Sequence, residues 1–587
     1  MIRKLNTISL LVMAAFFLAG SIAEGKIIYV DADATGANDG SSWENAYTYL
    51  QDALADANSA EKPVEIRVAQ GIYKPNQGGE VHPSNPREAT FYLYSGVTLK
   101  GGYAGFGEPD ANARDTSSYQ TILSGDLNGD DISTEDPFLL LACPTRIDNS
   151  YHVVDVRSMS KPVVLDGFTI TGGNAADREI FPCWSPDLFG GGLRSHAEDK
   201  GGNPEVIIRN CIFKSNSASN SGGAIDYYSD RPLTVVDCEF TGNYAANGGA
   251  IEADGEENST MNLTGCTFVG NSAINGAAVS NENRRKSTVT GCVRRIKLTG
   301  CVFCGNRAKY GGAAYIAADA PGGSCELEVK ECLFAGNRAR QYLWTLLDLE
   351  LSDLTSTELV TSESSADACG GAMYVAGCFV VELTNCTFAS NSAPSGNTIA
   401  CDSEPETSPS NLELHNCILR DEENQICNAN GLAIVIEYSD IRGGWAGEGN
   451  IDADPLFVAA GYWDSNGTPE DVNDDFWLDG DYHLKAQAGR WTSASSVGPV
   501  ANEGRWTKDD VTSLCIDAGD PMSPIGYEPF SNGGIINMGA YGGTAEASKS
   551  YFGEPPCKVI VAGDINGDCR VDFEDFALMA AHWLEDR

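Results

Sequence analysis

Basic residues are scarce in this sequence of 587 residues. Lysine and arginine total 39 against 82 aspartates and glutamates, and the formal net charge is −43. Proteins that bind nucleic acid or anionic lipid through bulk electrostatics need the opposite balance. The composition therefore excludes nucleic acid as an electrostatically bound partner and predicts a well-hydrated protein.

Long apolar runs are also missing, except close to the first residue. There, Ile8 to Leu18 follows Arg3 and Lys4, and a small-x-small site lies at residues 21–23. This order is typical of a secretory signal peptide, which we assign to residues 1–23. No later stretch is apolar enough to span a bilayer, so we expect no transmembrane anchor in the mature chain. The expected location is extracellular, on the cell surface or in the periplasm.

Helical periodicity is absent from the centre of the chain, which disfavours leucine-rich and helical solenoids. A different repeat occupies this region, with the pattern C-x-F-x-x-N. Its six copies begin at Cys211, Cys238, Cys266, Cys301, Cys332 and Cys386. Most copies are followed by a run of small residues at which the next strand is expected to begin, such as Gly222-Gly223-Ala224. We call this run the restart. Successive cysteines are 27, 28, 35, 31 and 54 residues apart, a spacing typical of solenoids and propellers.

Each copy also contains the alternation of a β-strand. Val206 to Asn210 and Leu233 to Asp237 alternate ahead of the cysteine and are rich in Val, Ile and Thr. A propeller blade of four strands needs more residues than the shortest copy contains. One coil of a parallel β-helix per repeat is the structure that fits, with the coils stacked at the strand spacing of roughly 4.8 Å. The predicted fold class is therefore an all-β parallel β-helix solenoid.

Stacked coils place identical residues above one another. Cysteine and phenylalanine, two positions apart, then fill the interior, while asparagine bonds to the asparagine of the next coil. The glycine pair allows a positive φ at a sharp corner. For the cysteines we favour buried free thiols, with disulfides between coils or a row of metal ligands as alternatives. Disulfides are also an alternative for the cysteines outside this ladder, which include Cys143, Cys183, Cys325, Cys369, Cys378, Cys401 and Cys427.

The repeats divide the chain into five segments. After the signal peptide, residues 24–150 are predicted to form an N-terminal cap and the first coils. The repeats proper occupy 151–447, with an acidic, leucine-rich insertion at 340–368 that is expected to project from the solenoid. Irregular final coils or a cap follow at 448–547, and a separate calcium-binding segment at 548–587. In the cap, Ser41 to Glu44 matches a capping box, and Tyr49, Leu50, Ala53, Leu54 and Ala57 share one helical face.

The calcium prediction comes from the last segment, where oxygen-bearing residues recur at the spacing of an EF-hand loop. The predicted ligands are Asp564, Asn566, Asp568, the carbonyl of Arg570, Asp572 and Asp575. An amphipathic helix is expected to follow, from Phe576 to Leu584. A second string, Asp126-Leu127-Asn128-Gly129-Asp130, has the first three offsets but Thr134 and Pro137 where further ligands should stand. We interpret it as an acidic loop, with a calcium loop as the alternative.

The F-x-x-N strings followed by Gly-Gly-Ala resemble the polymorphic outer-membrane protein repeats, and more widely the pectin-lyase-like β-helix superfamily. The resemblance covers about residues 160 to 400. It implies a right-handed, three-sided coil and an exported or surface-displayed protein. The loop from Asp564 to Asp575 and the helix behind it resemble one type I dockerin repeat, with Cys569 at the usual glycine position. That resemblance implies a small helical segment and a cohesin-like partner.

Many proteins of the superfamily cleave acidic polysaccharides, so two functional hypotheses follow. Polygalacturonase-like hydrolases require a Gly-His-Gly that this sequence lacks, and the Arg-x-Lys at Arg295 to Lys297 leads into a predicted strand. The constellation of a pectate lyase, a carboxylate-bound calcium with an Arg or Lys base, leaves no local signature. The basic residues Arg284, Arg285, Lys286, Arg294, Arg295 and Lys297 are interpreted as a solvated loop, with an anionic glycan site as the alternative.

The first hypothesis is a non-catalytic protein that binds polysaccharide or another cell-surface component, with calcium as its cofactor. The second is a polysaccharide lyase or glycoside hydrolase that acts on acidic polysaccharide. The sequence names no catalytic residues for this second hypothesis.

Overall fold

The fold is taken from a computed structural model. It describes residues 25–79, 83–134, 136–157, 160–176, 186–196, 205–255, 259–282, 293–317, 324–340, 368–377, 379–402, 411–429, 432–468, 475–492, 504–550 and 573. The predicted signal peptide, nearly all of the insertion and the predicted calcium segment lie outside these residues.

Four parallel sheets, here called sheets I to IV, run along the described part of the chain. Sheet I consists of Lys26–Val30, Val64–Ala69, Val97–Tyr103, Val163–Asp166, Val206–Arg209, Leu233–Val236, Thr260–Thr264, Val293–Thr299, Ser324–Lys330, Phe379–Thr384, Asn411–His415 and Ala433–Glu437. Sheet II consists of Gly71–Tyr73, Thr121–Ser124, Thr169–Thr171, Ile212–Lys214, Glu239–Thr241, Thr267–Val269, Val302–Cys304, Leu333–Ala335, Thr387–Ala389, Ile418–Arg420 and Asp440–Ile441.

The other two sheets complete each coil. Sheet III consists of Asn174–Ala175, Ser217–Ala218, Tyr244–Asn247, Ser272–Asn275, Arg307–Ala308 and Arg338–Ala339. Sheet IV consists of Phe91–Tyr94, Val154–Arg157, Leu193–His196, Ile225–Tyr228, Ile251–Asp254, Val279–Asn281, Ala314–Ala317, Met373–Ala376, Ile399–Asp402 and Ile426–Asn428. A central coil visits sheets I, II, III and IV in turn and then re-enters sheet I beside its previous strand. Because parallel strands joined this way cross over right-handedly, the fold is a right-handed parallel β-helix, as the repeats predict.

Identical repeat positions pair in register between coils. Phe213 pairs with Phe240, and Phe240 pairs with Phe268. The six repeat phenylalanines form one stack inside the helix, with neighbouring ring centroids 4.6 to 5.2 Å apart and ring planes within 8° of parallel. The repeat cysteines form a second buried ladder of free thiols. The predicted interior of the repeat is therefore confirmed.

The asparagines form the third ladder. Each donates its side-chain amide to the amide oxygen of the next, as from Asn243 to Asn271 at 3.0 Å. The same oxygen accepts the backbone N–H of the preceding asparagine, as from Asn243 at 3.0 Å. These residues are 0 or 1 % exposed, so the ladder satisfies backbone and side-chain groups that water cannot reach. It runs from Asn216 to Asn391.

Residues with positive φ form the corners of the coil. The first glycine of each restart has φ near 60°, as at Gly222 and Gly248, which confirms the prediction for that corner. Another corner stands directly before the ladder cysteine, where Asn210 and Asp237 have φ of 52° and 51°. The sequence analysis missed this second corner because its residues vary in type between coils. Asparagine and aspartate tolerate the left-handed region better than most residues, which fits their use here.

The N-terminal cap contains one α-helix, Leu50–Ser59, and its apolar face is buried through Leu50, Ala53, Leu54 and Ala57, as predicted. The predicted capping box is wrong, because the helix begins six residues after Glu44. Tyr49 occupies the N-cap, makes no side-chain cap bond and is 45 % exposed. Short 3-10 helices occur at Pro86–Glu88, Pro137–Leu139, Pro144–Arg146 and Pro186–Leu188. Among the described residues, no helix is both long and apolar enough to cross a membrane.

After the last coil, the chain forms three antiparallel strand pairs. They are Phe457–Ala459 with Asp481–Leu484, Tyr462–Asp464 with Phe476–Leu478, and Arg490–Thr492 with Arg505–Thr507. The second pair packs on the side of the β-helix, where Trp463 Nε1 donates to the Gly336 carbonyl at 3.0 Å. Arg338 lies over the Trp463 ring, 3.8 Å from its centroid. The terminal region is thus attached to the coils through aromatic and cationic contacts.

Candidate functional site

Charged side chains line the outer surface of sheet IV. Alternate residues of a strand point outward, and the pairing register places Asp155, Arg194, Asp226 and Glu252 side by side on successive strands. A second outward row, two residues further along, contains Arg157, His196 and Asp254. We call these seven residues the charged rows. Their assembly depends on register between coils, so no local motif in the sequence marks them.

The charged rows are linked by short ion pairs and hydrogen bonds. Arg194 donates to Asp155 Oδ2 at 2.6 Å, and Arg157 Nε donates to the same oxygen at 3.0 Å. His196 Nε2 lies 2.6 Å from Asp226 Oδ2. In a strand of sheet I, Arg294 donates to Asp254 Oδ1 at 3.1 Å. Each arginine named here therefore has a carboxylate partner.

The acidic members of the charged rows are not open to solvent. Asp155, Asp226, Glu252 and Asp254 are 2 % exposed or less. A lyase of the expected kind needs an arginine or lysine that reaches the substrate as a base. Both arginines of the charged rows pair with Asp155, and of the two only Arg157 has an exposed side chain.

An open groove lies at the corner between sheets I and II, and we call it the corner groove. Its volume is about 350 Å³, within the range of small-ligand sites. It is lined by Thr116, Ser117, Thr121, Gly167, Phe168, Thr169, Asn210, Cys211, Ile212, Asp237, Cys238, Glu239, Gly265 and Thr267.

The lining of the corner groove is polar and acidic. Five residues carry hydroxyl groups, Asn210 carries an amide, and Asp237 and Glu239 carry exposed carboxylates. No lysine or arginine occurs among the lining residues, all of which are described. Some of these groups are already engaged. Asn210 donates to Asp166 at 2.9 Å, Glu239 accepts from Thr241 at 2.8 Å, and the Ser117 and Thr121 hydroxyls donate to Asp115 and to the Ala69 carbonyl. Such a surface can accept and donate hydrogen bonds but repels anions.

The predicted basic loop divides into two parts. Arg284, Arg285 and Lys286 lie outside the described residues, whereas the strand Val293–Thr299 contains the other three. For Arg294 the prediction of a solvated residue is wrong, because its side chain is 4 % exposed and bonded to Asp254. Arg295 and Lys297 are exposed and pair with Glu326 and Glu328 at 2.9 and 2.8 Å. The structure therefore forms no free basic patch from the described part of this cluster.

The predicted metal ligands Asp564, Asn566, Asp568, Arg570, Asp572 and Asp575 lie outside the described residues. The weaker string, at residues 126 to 130, does form an acidic cluster. Carboxylate oxygens of Asp126, Asp130 and Asp148 lie within 4.8 Å of one another. The sequence analysis missed Asp148, which lies 18 residues after Asp130 and is brought to it by the path of the chain.

Comparisons with known proteins match the repeats to one family model. Residues 210–226 and 237–254 match the Chlamydia polymorphic membrane protein repeat. A search of curated proteins found no match. The structure is similar to that of the pectate lyase Pel9A, with 12 % identity, a TM-score of 0.36 and coverage of 89 % of this chain and 97 % of the lyase.

A rhamnogalacturonan lyase is similar with 13 % identity, a TM-score of 0.30 and coverage of 66 % of this chain and 87 % of the lyase. Scores this low carry no argument about activity, so the assignment rests on the stacked coils and on the repeat match. The described part of the chain is a parallel β-helix, and two of its central coils match the polymorphic membrane protein repeat.

Proposed function

We propose that the chain is an exported, surface-associated β-helix protein that binds a neutral, hydroxyl-rich glycan in the corner groove and does not cleave it. The main support for this proposal is the lining of the groove, which combines hydroxyl groups with two exposed carboxylates and has no basic residue. Carboxylates accept hydrogen bonds from neighbouring sugar hydroxyls, while they repel the carboxylates of a polyuronate. Surface association is supported by the repeat match, whose named family consists of membrane proteins.

Acidic polysaccharide is the less suitable ligand on two grounds. The chain carries a formal charge of −43, so long-range electrostatics oppose the approach of a polyanion. At short range, the groove supplies Asp237 and Glu239 but no cation to pair with a uronate. We therefore expect neutral glycans to bind and polyuronates to bind weakly.

The C-terminal segment adds a second part to the proposal. The spacing from Asp564 to Asp575 supports a calcium-binding loop, and its dockerin-like pattern supports docking to a cohesin-like partner. Calcium titration of the full chain, compared with a variant in which Asp564→Asn and Asp575→Asn are combined, tests the first point. The loss of one calcium equivalent is expected, and identical titrations would contradict it.

One observation favours a second candidate, a polysaccharide lyase or hydrolase. His196 and Asp226 form a 2.6 Å contact next to Glu252, which places two carboxylates and an imidazole on adjacent strands. Glycosidases use paired carboxylates, so this part of the charged rows has the residue types of an active site. The burial of Asp226 and Glu252 argues against it, because a polymer must reach both groups.

The experiment measures binding and turnover on one set of polymers. Purified full chain is titrated calorimetrically with neutral oligosaccharides of different linkage and with oligouronates, and Asp237→Asn and Glu239→Gln are measured alongside. Loss of one groove carboxylate should weaken neutral glycan binding roughly tenfold, as expected for a charge-assisted hydrogen bond. The matched control is Glu326→Gln, an exposed carboxylate on the outer surface of sheet I.

The outcomes separate the two candidates. Equal binding by the groove variants and Glu326→Gln would remove the corner groove as the site. Release of unsaturated products or reducing ends from any polymer, lost on Asp226→Asn, would replace the binding protein with an enzyme at the charged rows. Absence of turnover together with weaker binding by Asp237→Asn supports the proposal.

A further inference from the structure

The loop at residues 126 to 131 brings several acidic groups together beside the second strand of sheet II. Asp126 and Asp130 lie on the loop, which follows Thr121–Ser124, and Asp148 approaches from the segment that precedes the next strand of sheet IV. Three carboxylates this close repel one another unless positive charge lies between them. Proximity of acids alone does not define a metal site, so the surrounding groups decide the question.

The basic side chains near the cluster, Arg146 and Lys74, form their hydrogen bonds with other groups. Among the described residues, no salt bridge joins Asp126, Asp130 or Asp148 to a basic side chain. Arg146 is 3 % exposed and donates to Asp131 at 3.1 Å, to the Gly173 carbonyl at 3.0 Å and to the Ser215 carbonyl at 2.9 Å. Lys74 Nζ lies 3.4 Å from the Leu127 carbonyl, on the backbone of the loop. The negative charge of the three carboxylates is therefore not balanced by an ion pair.

A second observation comes from buried oxygen atoms that lack a donor. Asn149, next to Asp148, is 0 % exposed, and its Oδ1 accepts no hydrogen bond. Its orientation is fixed, since Nδ2 donates to Asp131 Oδ2 at 2.9 Å and to the Gly172 carbonyl at 2.8 Å. Because Asn149 follows Asp148 and Asp131 follows Asp130, the bond to Asp131 holds the segment of Asp148 against the loop of Asp130.

Two more carboxylate oxygens, on the residue before Asn149 and on the residue after Asp130, are buried without a donor. They are Asp148 Oδ2 and Asp131 Oδ1. A buried acceptor left without a partner is destabilising, and a carboxylate more so, so several in one region require an explanation. A cation bound among them would satisfy carboxylate and amide oxygens together. Oxygen-only donor sets of this kind suit calcium, which takes carboxylates, amide oxygens, backbone carbonyls and water.

We propose that Asp126, Asp130 and Asp148 form a calcium-binding site, with the Asn149 amide oxygen as a further donor, that fastens the 126–131 loop to the N-terminal coils. This site is separate from the C-terminal loop and does not depend on glycan binding. It connects three parts of the chain, because Asn149 and Arg146 bond to carbonyls of the next two coils, at Gly172 and Ser215. Calcium bound here stabilises the first coils of the solenoid.

The test uses the full chain in which Asp564→Asn and Asp575→Asn remove the predicted C-terminal site. Calorimetric titration with calcium chloride should show one saturable site in this background, and calcium should raise the thermal unfolding temperature. Asp130→Asn should weaken this binding roughly tenfold or more, since calcium affinity depends on the number of charged ligands. Asp130 is exposed, so its substitution is expected to leave the fold intact.

Two further variants make the result decisive. Asp148→Asn should have the same effect as Asp130→Asn, whereas Asp510→Asn, which removes one exposed carboxylate elsewhere, should leave calcium binding unchanged. Circular dichroism of each variant checks the fold. The proposal is overturned if the background chain shows no saturable calcium binding, or if Asp130→Asn and Asp148→Asn both bind calcium as the background does.

Discussion

Asn391 donates its side-chain amide to Asp421 Oδ1 at 3.2 Å, and this bond ends the asparagine ladder on a carboxyl group. Thr398 Oγ1 donates to the other oxygen of Asp421 at 2.6 Å. The Asp421 side chain is 0 % exposed, and its burial raises its pKa from 3.8 to about 7. The last rung is therefore an ionisable residue where the coils before it use a neutral amide.

Replacing this carboxyl should change how stability depends on pH. Between pH 4 and 7 the folded chain keeps a proton that the unfolded chain has lost, so the free energy of unfolding falls as pH rises through this window. With a folded pKa of about 7 against 3.8, the loss amounts to roughly 4 kcal/mol. Asp421→Asn should be more stable than the parent at pH 8 and similar to it at pH 4.

Urea unfolding of both proteins at pH 4, 6 and 8 measures this difference. Other buried acids titrate in the same range, and the pKa of Glu528 is raised by burial to about 7, so the comparison is made between variant and parent at each pH. Asp510→Asn serves as the control for loss of a surface charge. A parent that gains stability relative to Asp421→Asn as pH rises would contradict the prediction.

Phe268 should be among the most sensitive positions in the interior. Its ring lies 4.7 Å from that of Phe240 and 4.9 Å from that of Phe303, and it is 0 % exposed. Phe268→Ala removes both contacts and leaves a cavity, at a cost of about 3–5 kcal/mol in the free energy of unfolding. Chemical denaturation measures the loss, with Thr264→Ala on the exposed side of the preceding strand as the control. Equal effects of the two substitutions would mean that the stack contributes nothing beyond surface packing.

The cysteine ladder should stay unreactive in the folded protein. Its members are Cys211, Cys238, Cys266, Cys301, Cys332, Cys386 and Cys417, all buried and free. Burial raises the pKa of the Cys238 and Cys386 thiols well above the usual range, which suppresses the reactive thiolate. Thiol titration should detect these groups only after denaturation. Ladder thiols that react in the native protein, or that remain unreactive in denaturant until a reductant is added, would contradict the buried free ladder.

Two corner glycines provide a matched pair for testing how the terminal region is attached. Gly336 and Gly270 both have positive φ, at 63° and 60°, and hold the same position in their coils. A Cβ at Gly336 would collide with the Trp477 ring, whereas a Cβ at Gly270 would meet nothing within 4 Å.

Gly336→Ala should therefore lower the free energy of unfolding by about 1–2 kcal/mol, because alanine disfavours a positive φ. It should in addition displace the Trp477 side chain. Gly270→Ala should show only the cost of the positive φ, since its Cβ would contact no other residue. Thermal unfolding and tryptophan fluorescence measure the two effects, and a red shift of emission is expected for Gly336→Ala only. Identical spectra and equal stability losses would show that Trp477 does not depend on this corner.

Much of the fold could be predicted because each coil repeats one local pattern. The two-residue spacing of Cys266 and Phe268 directs both side chains inward, and Asn271 follows at the turn, so one copy predicts the environment of the others. The corner before each cysteine could not be predicted from residue type, since asparagine, aspartate, glycine and glutamate all occupy it. The start of the helix was misplaced because Ser41 and Glu44 match a capping box that the chain uses in a turn instead.

The candidate sites were less predictable because they depend on register and on distant segments. Asp226 and Glu252 become neighbours only when one coil stacks on the next, and Asp148 reaches Asp130 only through the path of the chain between them. The sequence did indicate Asp126 and Asp130, since their spacing resembles the start of a calcium loop. It gave no indication of the corner groove, whose lining comes from five successive coils and from the segment around Thr116.

The amino-acid sequence by itself determined the coil, because the period of the strands, the inward cysteine and phenylalanine and the turn asparagine are all local and are repeated. Only the tertiary structure decided which polar groups meet. Stacking sets the lateral position of each strand relative to its neighbours, and that register places a carboxylate beside an arginine or in an open groove. The path of the chain between coils brings Asp148 to Asp126 and Asp130. Local sequence does not contain this information, since outward positions tolerate many residue types and gain their chemistry from the neighbouring coil.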